Sequence, residues 1–175
     1  INSGGCFNEK PIIDEQVLFN QNTFYKHNIF VPIGDNRSRN KIISKLVALN
    51  RYILPNFIHE KANINKSCLL GKRVYILPGV NVMPHTKISD NCMISVGSNI
   101  SHHSVIGEGC FISHGVNIGA NINVDSMCFF GINSTVMTGV KKIEKNSIIG
   151  AGSVVIRNVK KNSKMVGNPA RNLND

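Results

Sequence analysis

The sequence predicts a mainly β chain, wound as a three-sided parallel β-helix of six-residue repeats and preceded by a small α/β segment. Three observations carry this reading. Apolar residues recur every six positions. Small residues recur two positions before them. The residues in between sort by chemical type every eighteen positions.

A fixed internal period decides the architecture before any local motif does. Stepping by six from Ile58 gives Ile64, Leu70, Ile76, Val82, Ile88, Ile94, Ile100, Ile106, Ile112, Ile118, Val124, Phe130 and Val136. Chance does not produce that run in a chain that is 42% hydrophobic. One extra residue then shifts the phase, and Ile143, Ile149 and Val155 resume it. Two positions earlier stand Ala62, Cys68, Thr86, Cys92, Ser98, Ser104, Cys110, Cys128 and Ser134. Strand side chains alternate between faces, so positions i and i−2 both point inward. A narrow prism takes one large and one small residue there. Gly71, Gly107, Gly119, Gly131 and Gly150 follow the aliphatic residue, where a tight corner is expected to use glycine's backbone freedom.

The position just before each aliphatic faces outward. Every eighteen residues one set reads Phe57, Tyr75, Met93, Phe111, Phe129, and another reads Asn63, Asn81, Asn99, Asn117. Clean segregation at this step means three sides per coil, with coils stacked about 4.8 Å apart. The outward aromatic column is expected to pack against the N-terminal segment or a neighbouring subunit, because an exposed aromatic stripe marks a contact surface. Cys92, Cys110 and Cys128 fall in one inward column. They read as small apolar filler rather than a metal or redox site.

Residues 1–54 lack the hexad. Ile29–Ile33 reads as a short strand, Gly34-Asp35-Asn36 as a turn, and Arg37 to about Asn50 as a helix from the spacing of Ile42, Ile43, Leu46 and Leu49. Strand, turn and helix together suggest a piece of a nucleotide-binding α/β unit, without its glycine fingerprint. Gly4-Gly5 is either a remnant of a glycine loop or an ordinary turn. The chain opens on Ile1 rather than Met, which reads as a processed product or a fragment.

No run of about 18 apolar residues is present, so no membrane span is expected. Five cysteines without a C-x-x-C suggest a reducing, cytoplasmic setting. The net charge of +10 favours an anionic partner. No helix-turn-helix, zinc-finger or RNA-binding signature accompanies it, so nucleic acid is not expected. The charge is concentrated between Lys141 and Asp175, which suits a phosphate-rich small ligand.

The runs I-S-H-H-S-V-I-G-E-G (100–109), F-F-G-I-N-S (129–134), I-I-G-A-G-S-V-V (148–155) and V-G-N-P-A-R (166–171) resemble the hexapeptide-repeat acyltransferases. Within that superfamily they look like the branch of bacterial amino-sugar N-acetyltransferases and sialic acid O-acetyltransferases. The resemblance implies a left-handed helix, although right-handed crossovers are the rule for parallel strands. It divides the chain into an α/β sugar-binding-like segment (1–54, Rossmann-like, whole or incomplete) and a left-handed β-helix acyltransferase domain (55–175). It implies a homotrimer with acetyl-CoA as co-substrate in the groove between adjacent helices, and a nucleotide-linked amino sugar or other small acceptor.

The branch's catalytic histidine falls on His102. The acid that usually follows is His103 here, and a second histidine a few residues on is replaced by Phe111. CoA contacts map onto Ala120, Gly131, Ile132, Gly150 and Ala151, and Asn168-Pro169 lies where the adenine end rests. Lys160, with Lys161, Lys164 and Arg171, either neutralises the CoA phosphates or forms a solvated basic face. His114, in F-I-S-H-G, resembles the base of serine acetyltransferases and is the competing candidate. His27, His59 and His85 carry no motif and read as surface residues.

The chemistry asked of such a site is proton removal from an attacking amine or hydroxyl, for which histidine is suited. A backbone N–H at a coil corner would hold the oxyanion. N-acetylation of an amino sugar is the leading expectation. O-acetylation of a sugar or serine follows. Further down come a non-catalytic scaffold and a zinc enzyme of the γ-carbonic-anhydrase kind, whose histidine spacing is not matched. No metal is expected.

Overall fold

The computed structural model describes residues 6–7, 10–11, 16–20 and 27–173. Gly4, Gly5 and Ile1 lie outside the described residues. The expected parallel β-helix is present. Two-residue strands follow one another every six residues from Phe57–Ile58 onward. They stack into three sheets, of eight, six and five strands. The register confirms the eighteen-residue coil: Phe57 lies beside Tyr75, Asn99 beside Asn117, and Val105 beside Asn123. Past the extra residue the step becomes nineteen, and Asn123 pairs with Lys142.

We call the three sides the aromatic face (Phe57, Tyr75, Met93, Phe111, Phe129), the asparagine face (Asn63, Asn81, Asn99, Asn117) and the mixed face (Leu69, Lys87, Val105, Asn123, Lys142). The stepped aliphatics from Ile76 to Val155 are all buried, as are Cys92, Ser98, Ser104, Cys110, Cys128 and Ser134 between them. Each large inward aliphatic contributes about 1.5–3 kcal/mol by leaving water. The small inward residues also satisfy polar backbone: the Cys92 thiol donates to Gly107 O (3.1 Å), Cys110 to Asp125 O (3.2 Å) and Ser98 Oγ to Ser113 O (2.7 Å). On the asparagine face, Asn81 Nδ2 donates to Asn99 Oδ1 and Asn99 Nδ2 to Asn117 Oδ1, each at 2.9 Å, an amide ladder that ties coil to coil.

The corner glycines correct one expectation. Gly71, Gly107, Gly119, Gly131 and Gly150 do not use positive φ. A Cβ at Gly107 would lie 2.6 Å from Asp125 C, and one at Gly131 2.5 Å from Ala151 N. Glycine stands there because the next coil's backbone passes too close for a side chain. Positive φ falls two residues later, at Arg73, His85, Asn91, His103, Asn121, Met127, Asn133 and Asn146 among others. Asparagine and glycine together fill most of those positions, because they tolerate the left-handed region better than other residues.

The helix runs over Asn36–Leu49. Asp35 caps it, its Oδ1 accepting from Ser38 N at 2.8 Å, and Asn50 ends it in the left-handed conformation. The strand expected over Ile29–Ile33 does not form. One parallel bridge, Asn28 to Ile53, flanks the helix, and the described residues of this segment do not show a Rossmann-like unit. The reason is local: Val31 N donates to Tyr75 Oη (2.7 Å) and Ile33 O accepts from Arg39 Nη1 (2.7 Å). With these groups satisfied by side chains, no neighbouring strand is needed.

This segment covers the aromatic face. Phe30 meets Phe57 and Tyr75 edge-on, at 6.0 and 6.4 Å between ring centres. Arg39, 0% exposed, reaches between coils: Nε donates to Asn91 O, and Nη2 to Gly109 O (2.9 Å) and Cys110 O (3.1 Å). Burial pushes its pKa down from the usual guanidinium value. Among the described residues, no helix is long and apolar enough to cross a membrane.

Candidate active site

Each coil turns through three corners, and each corner stacks into a column. The expected site residues fall into three different columns. His102, His103 and Ala120 lie at the corner between the asparagine and mixed faces. Hydrogen bonds fix the order: His103 N donates to Pro84 O (3.0 Å) and Asn121 N to His102 O (3.1 Å). His114, Gly131, Ile132, Gly150 and Ala151 lie at the corner between the aromatic and asparagine faces, where Asn133 N donates to His114 O and Gly152 N to Ile132 O. Asn168 and Pro169 continue above this second column, Gly167 O accepting from Val154 N at 3.0 Å. Lys160 lies on the third corner, its carbonyl taking the Ser147 hydroxyl at 2.9 Å. One chain therefore holds its candidate bases at two corners, with the asparagine face between them.

The two columns differ in chemistry. At the first, the exposed His102 and His103 rings meet edge-to-face, 5.2 Å apart, with their Nδ1 atoms 3.0 Å apart. His103 also lies 4.8 Å from the ring of His85 in the coil below. No motif marked His85 as a member of this cluster, yet the signal was present: His85 and His103 are eighteen residues apart. The inserted residue falls here too, opening the corner at Met137–Lys141, and Ala120 N meets Thr138 Oγ1 at 3.3 Å. At the second column His114 is exposed, and no hydrogen bond or ring contact is described for its side chain. Gly115, Gly131, Gly150 and Ala151 present a wall with little side chain, from which Ile132 projects, 50% exposed. Among the described residues, no group of three His, Cys, Asp or Glu is placed to hold a metal ion.

A cleft of about 390 Å3 lies apart from both columns, between the start of the helix and the aromatic face, lined by Asp35, Arg37, Phe129, Asn146, Ile148 and Lys164. A second, of about 280 Å3, lies at the open end of the helix beside Ile156, Arg157, Lys160 and Arg171. Lys160, Lys164 and Arg171 thus line clefts, though not the wall at Ile132.

The coil geometry defines a hexapeptide-repeat protein, with its candidate site residues at the coil corners. Residues 52–141 match the family model of the GMPPB C-terminal domain, and the chain belongs to that family. It is similar to PerB from Caulobacter crescentus, solved in complex with CoA and GDP-perosamine, with 28% identity, 95% of this chain and 80% of that chain covered, and a TM-score of 0.88. A histidine-to-alanine variant of the Caulobacter crescentus GDP-perosamine N-acetyl transferase, in the same complex, gives 28% identity, 95% and 79% coverage, and a TM-score of 0.87. The acetyltransferase domain of PglB from Neisseria gonorrhoeae FA1090 shares the fold, with 22% identity, 98% and 83% coverage, and a TM-score of 0.91. The resemblance to hexapeptide-repeat amino-sugar acetyltransferases is borne out.

Proposed function

We propose that this chain is an acetyl-CoA-dependent N-acetyltransferase of a nucleotide-linked amino sugar, with His102 as general base. The observation that carries the reading is likeness over nearly the whole chain to PerB, itself bound to CoA and GDP-perosamine. That likeness meets an exposed histidine corner in this chain.

In the mechanism the acceptor amine attacks the thioester carbonyl carbon directly. His102 Nε2 takes the amine proton as the C–N bond forms. The C–S bond then breaks, and the departing CoA sulfur leaves as thiol after taking a proton from the imidazolium. The Ala120 N–H, in the coil above and held only at 3.3 Å by Thr138 Oγ1, is suited to the developing oxyanion.

Acetyl-CoA lies along the wall of Gly131, Ile132, Gly150 and Ala151 of one copy, facing His102 of the next. This supplies the reason for a homotrimer, because the asparagine face separates the two corners within a chain.

The test is thiol release from acetyl-CoA with a panel of nucleotide-linked 4-amino sugars, free sugars and serine. Release with a nucleotide-linked amino sugar, reduced about 10²–10⁴-fold in a folded His102→Ala variant, is expected. Release with serine or an unaminated sugar alone contradicts the N-acetyl reading.

A further inference from the structure

The residue beside His102 is itself a histidine, and the structure gives it a specific place. His103 sits at the positive-φ position of its corner, φ 58, where most other corners place asparagine or glycine. Its ring is held between two others. His85 lies 4.8 Å away on one side and His102 5.2 Å away on the other, with the two Nδ1 atoms 3.0 Å apart. Two like nitrogens at that distance bond only if one carries a proton and the other a lone pair. The charged groups of this corner column are Lys66, Lys141 and Arg157, and no carboxylate stands in it. No acid of that column is therefore available to orient either ring. His103 is the inner member, flanked by rings on both sides. His102 has one ring partner, and with Nδ1 turned onto His103 its Nε2 is the free end of an exposed side chain.

We propose that His103 is a positioning residue: its Nδ1 accepts the Nδ1–H of His102 and so holds His102 in the tautomer whose Nε2 carries a lone pair. An isolated imidazole favours the opposite tautomer, with the proton on Nε2, which cannot act as a base through that atom. Which ring nitrogen bears the proton is set by the bond the other one makes. The inference rests on His102 being the general base and adds how the base is kept ready.

The experiment has two arms. In the first, the full chain is labelled with 15N-histidine, and His102 is assigned by the signal lost in His102→Gln. Its tautomer is read from long-range 1H–15N couplings at alkaline pH without substrate. The Nδ1–H form is expected in the parent, reverting to Nε2–H in His103→Gly. Glycine keeps the backbone, since Gly79, Gly97 and Gly115 hold the same left-handed position in other corners. In the second arm, His103→Gly lowers kcat about 10- to 100-fold and leaves KM for acetyl-CoA within about twofold. His103→Asn, whose Oδ1 accepts and whose backbone suits the site, restores part of the loss. A parent His102 in the Nε2–H form, or a His103→Gly variant with the parent's kcat, overturns the inference. Full turnover by His102→Gln overturns the functional reading instead, and the tautomer measurement still decides the pairing.

Discussion

The two corners that flank the asparagine face are built on the same backbone and do opposite things with it. The His102 corner collects rings: His103 lies tilted against His85 of the coil below and edge-on to His102 beside it, and an inserted residue widens the turn above them. The His114 corner sheds side chains: a methyl added at Gly131 or Gly150 would come within 2.8 Å of atoms of the next coil, and their absence of a side chain leaves a smooth wall with Ile132 on it. A repeat that forces one conformation on every coil leaves function only the choice of side chain at each corner. Here one column gathers three histidine rings, and the other, around Gly131 and Gly150, carries close-packed backbone, on which acetyl-CoA is proposed to lie.

That contrast can be broken from either side. The largest effect expected is the loss of turnover at His102 already described. Next in size is a stability effect on the wall: Gly131→Val brings its Cβ onto Ala151 N, 2.5 Å away, and overpacking of this kind costs about 1–3 kcal/mol. Urea denaturation should show it, whereas Ile132→Val leaves the midpoint close to the parent's. Ile132→Glu places a charge on the proposed cofactor wall, and KM for acetyl-CoA is expected to rise about tenfold while kcat holds, since lost uniform binding appears in KM. The smallest effect is expected at His114. His114→Ala should keep kcat within about twofold by steady-state assay, because no partner among the described residues orients that ring. A loss comparable to that at His102 would exchange the roles of the two corners.

Much of this was legible in the sequence, for physical reasons. A prism of fixed coil length repeats its demands at fixed spacing, so the inward aliphatics, the cysteine column and the outward aromatics could all be read by counting. The same counting places Pro84, His102 and Ala120 in one column, and His85, eighteen residues before His103, carries the same signal. The N-terminal segment was less legible. Its helix showed through its apolar spacing, with Asp35 read only as part of a turn, but its docking depends on Arg39 bonding to carbonyls of Asn91, Gly109 and Cys110. Carbonyls carry no side-chain signature, so nothing in the letters announces that contact. The glycines were found at the right places for the wrong cause. Sequence marks where glycine is needed, and only the packed coils show that the need is space rather than positive φ.

The claim that one site draws its base from the first corner of one copy and its wall from the second corner of another is tested most directly by mixing two defective chains. His102→Gln keeps the wall, and Ile132→Glu keeps the base but is impaired when acetyl-CoA is held well below its KM, the condition under which all the chains are assayed. Co-refolded or co-expressed at equal amounts, random trimers of the two re-form an intact pairing at one interface of each mixed trimer, giving about a quarter of parental activity by closed cyclic symmetry. Thiol release near that fraction is the predicted result. Activity no greater than the average of the two separate variants would place base and wall within one chain and contradict the account.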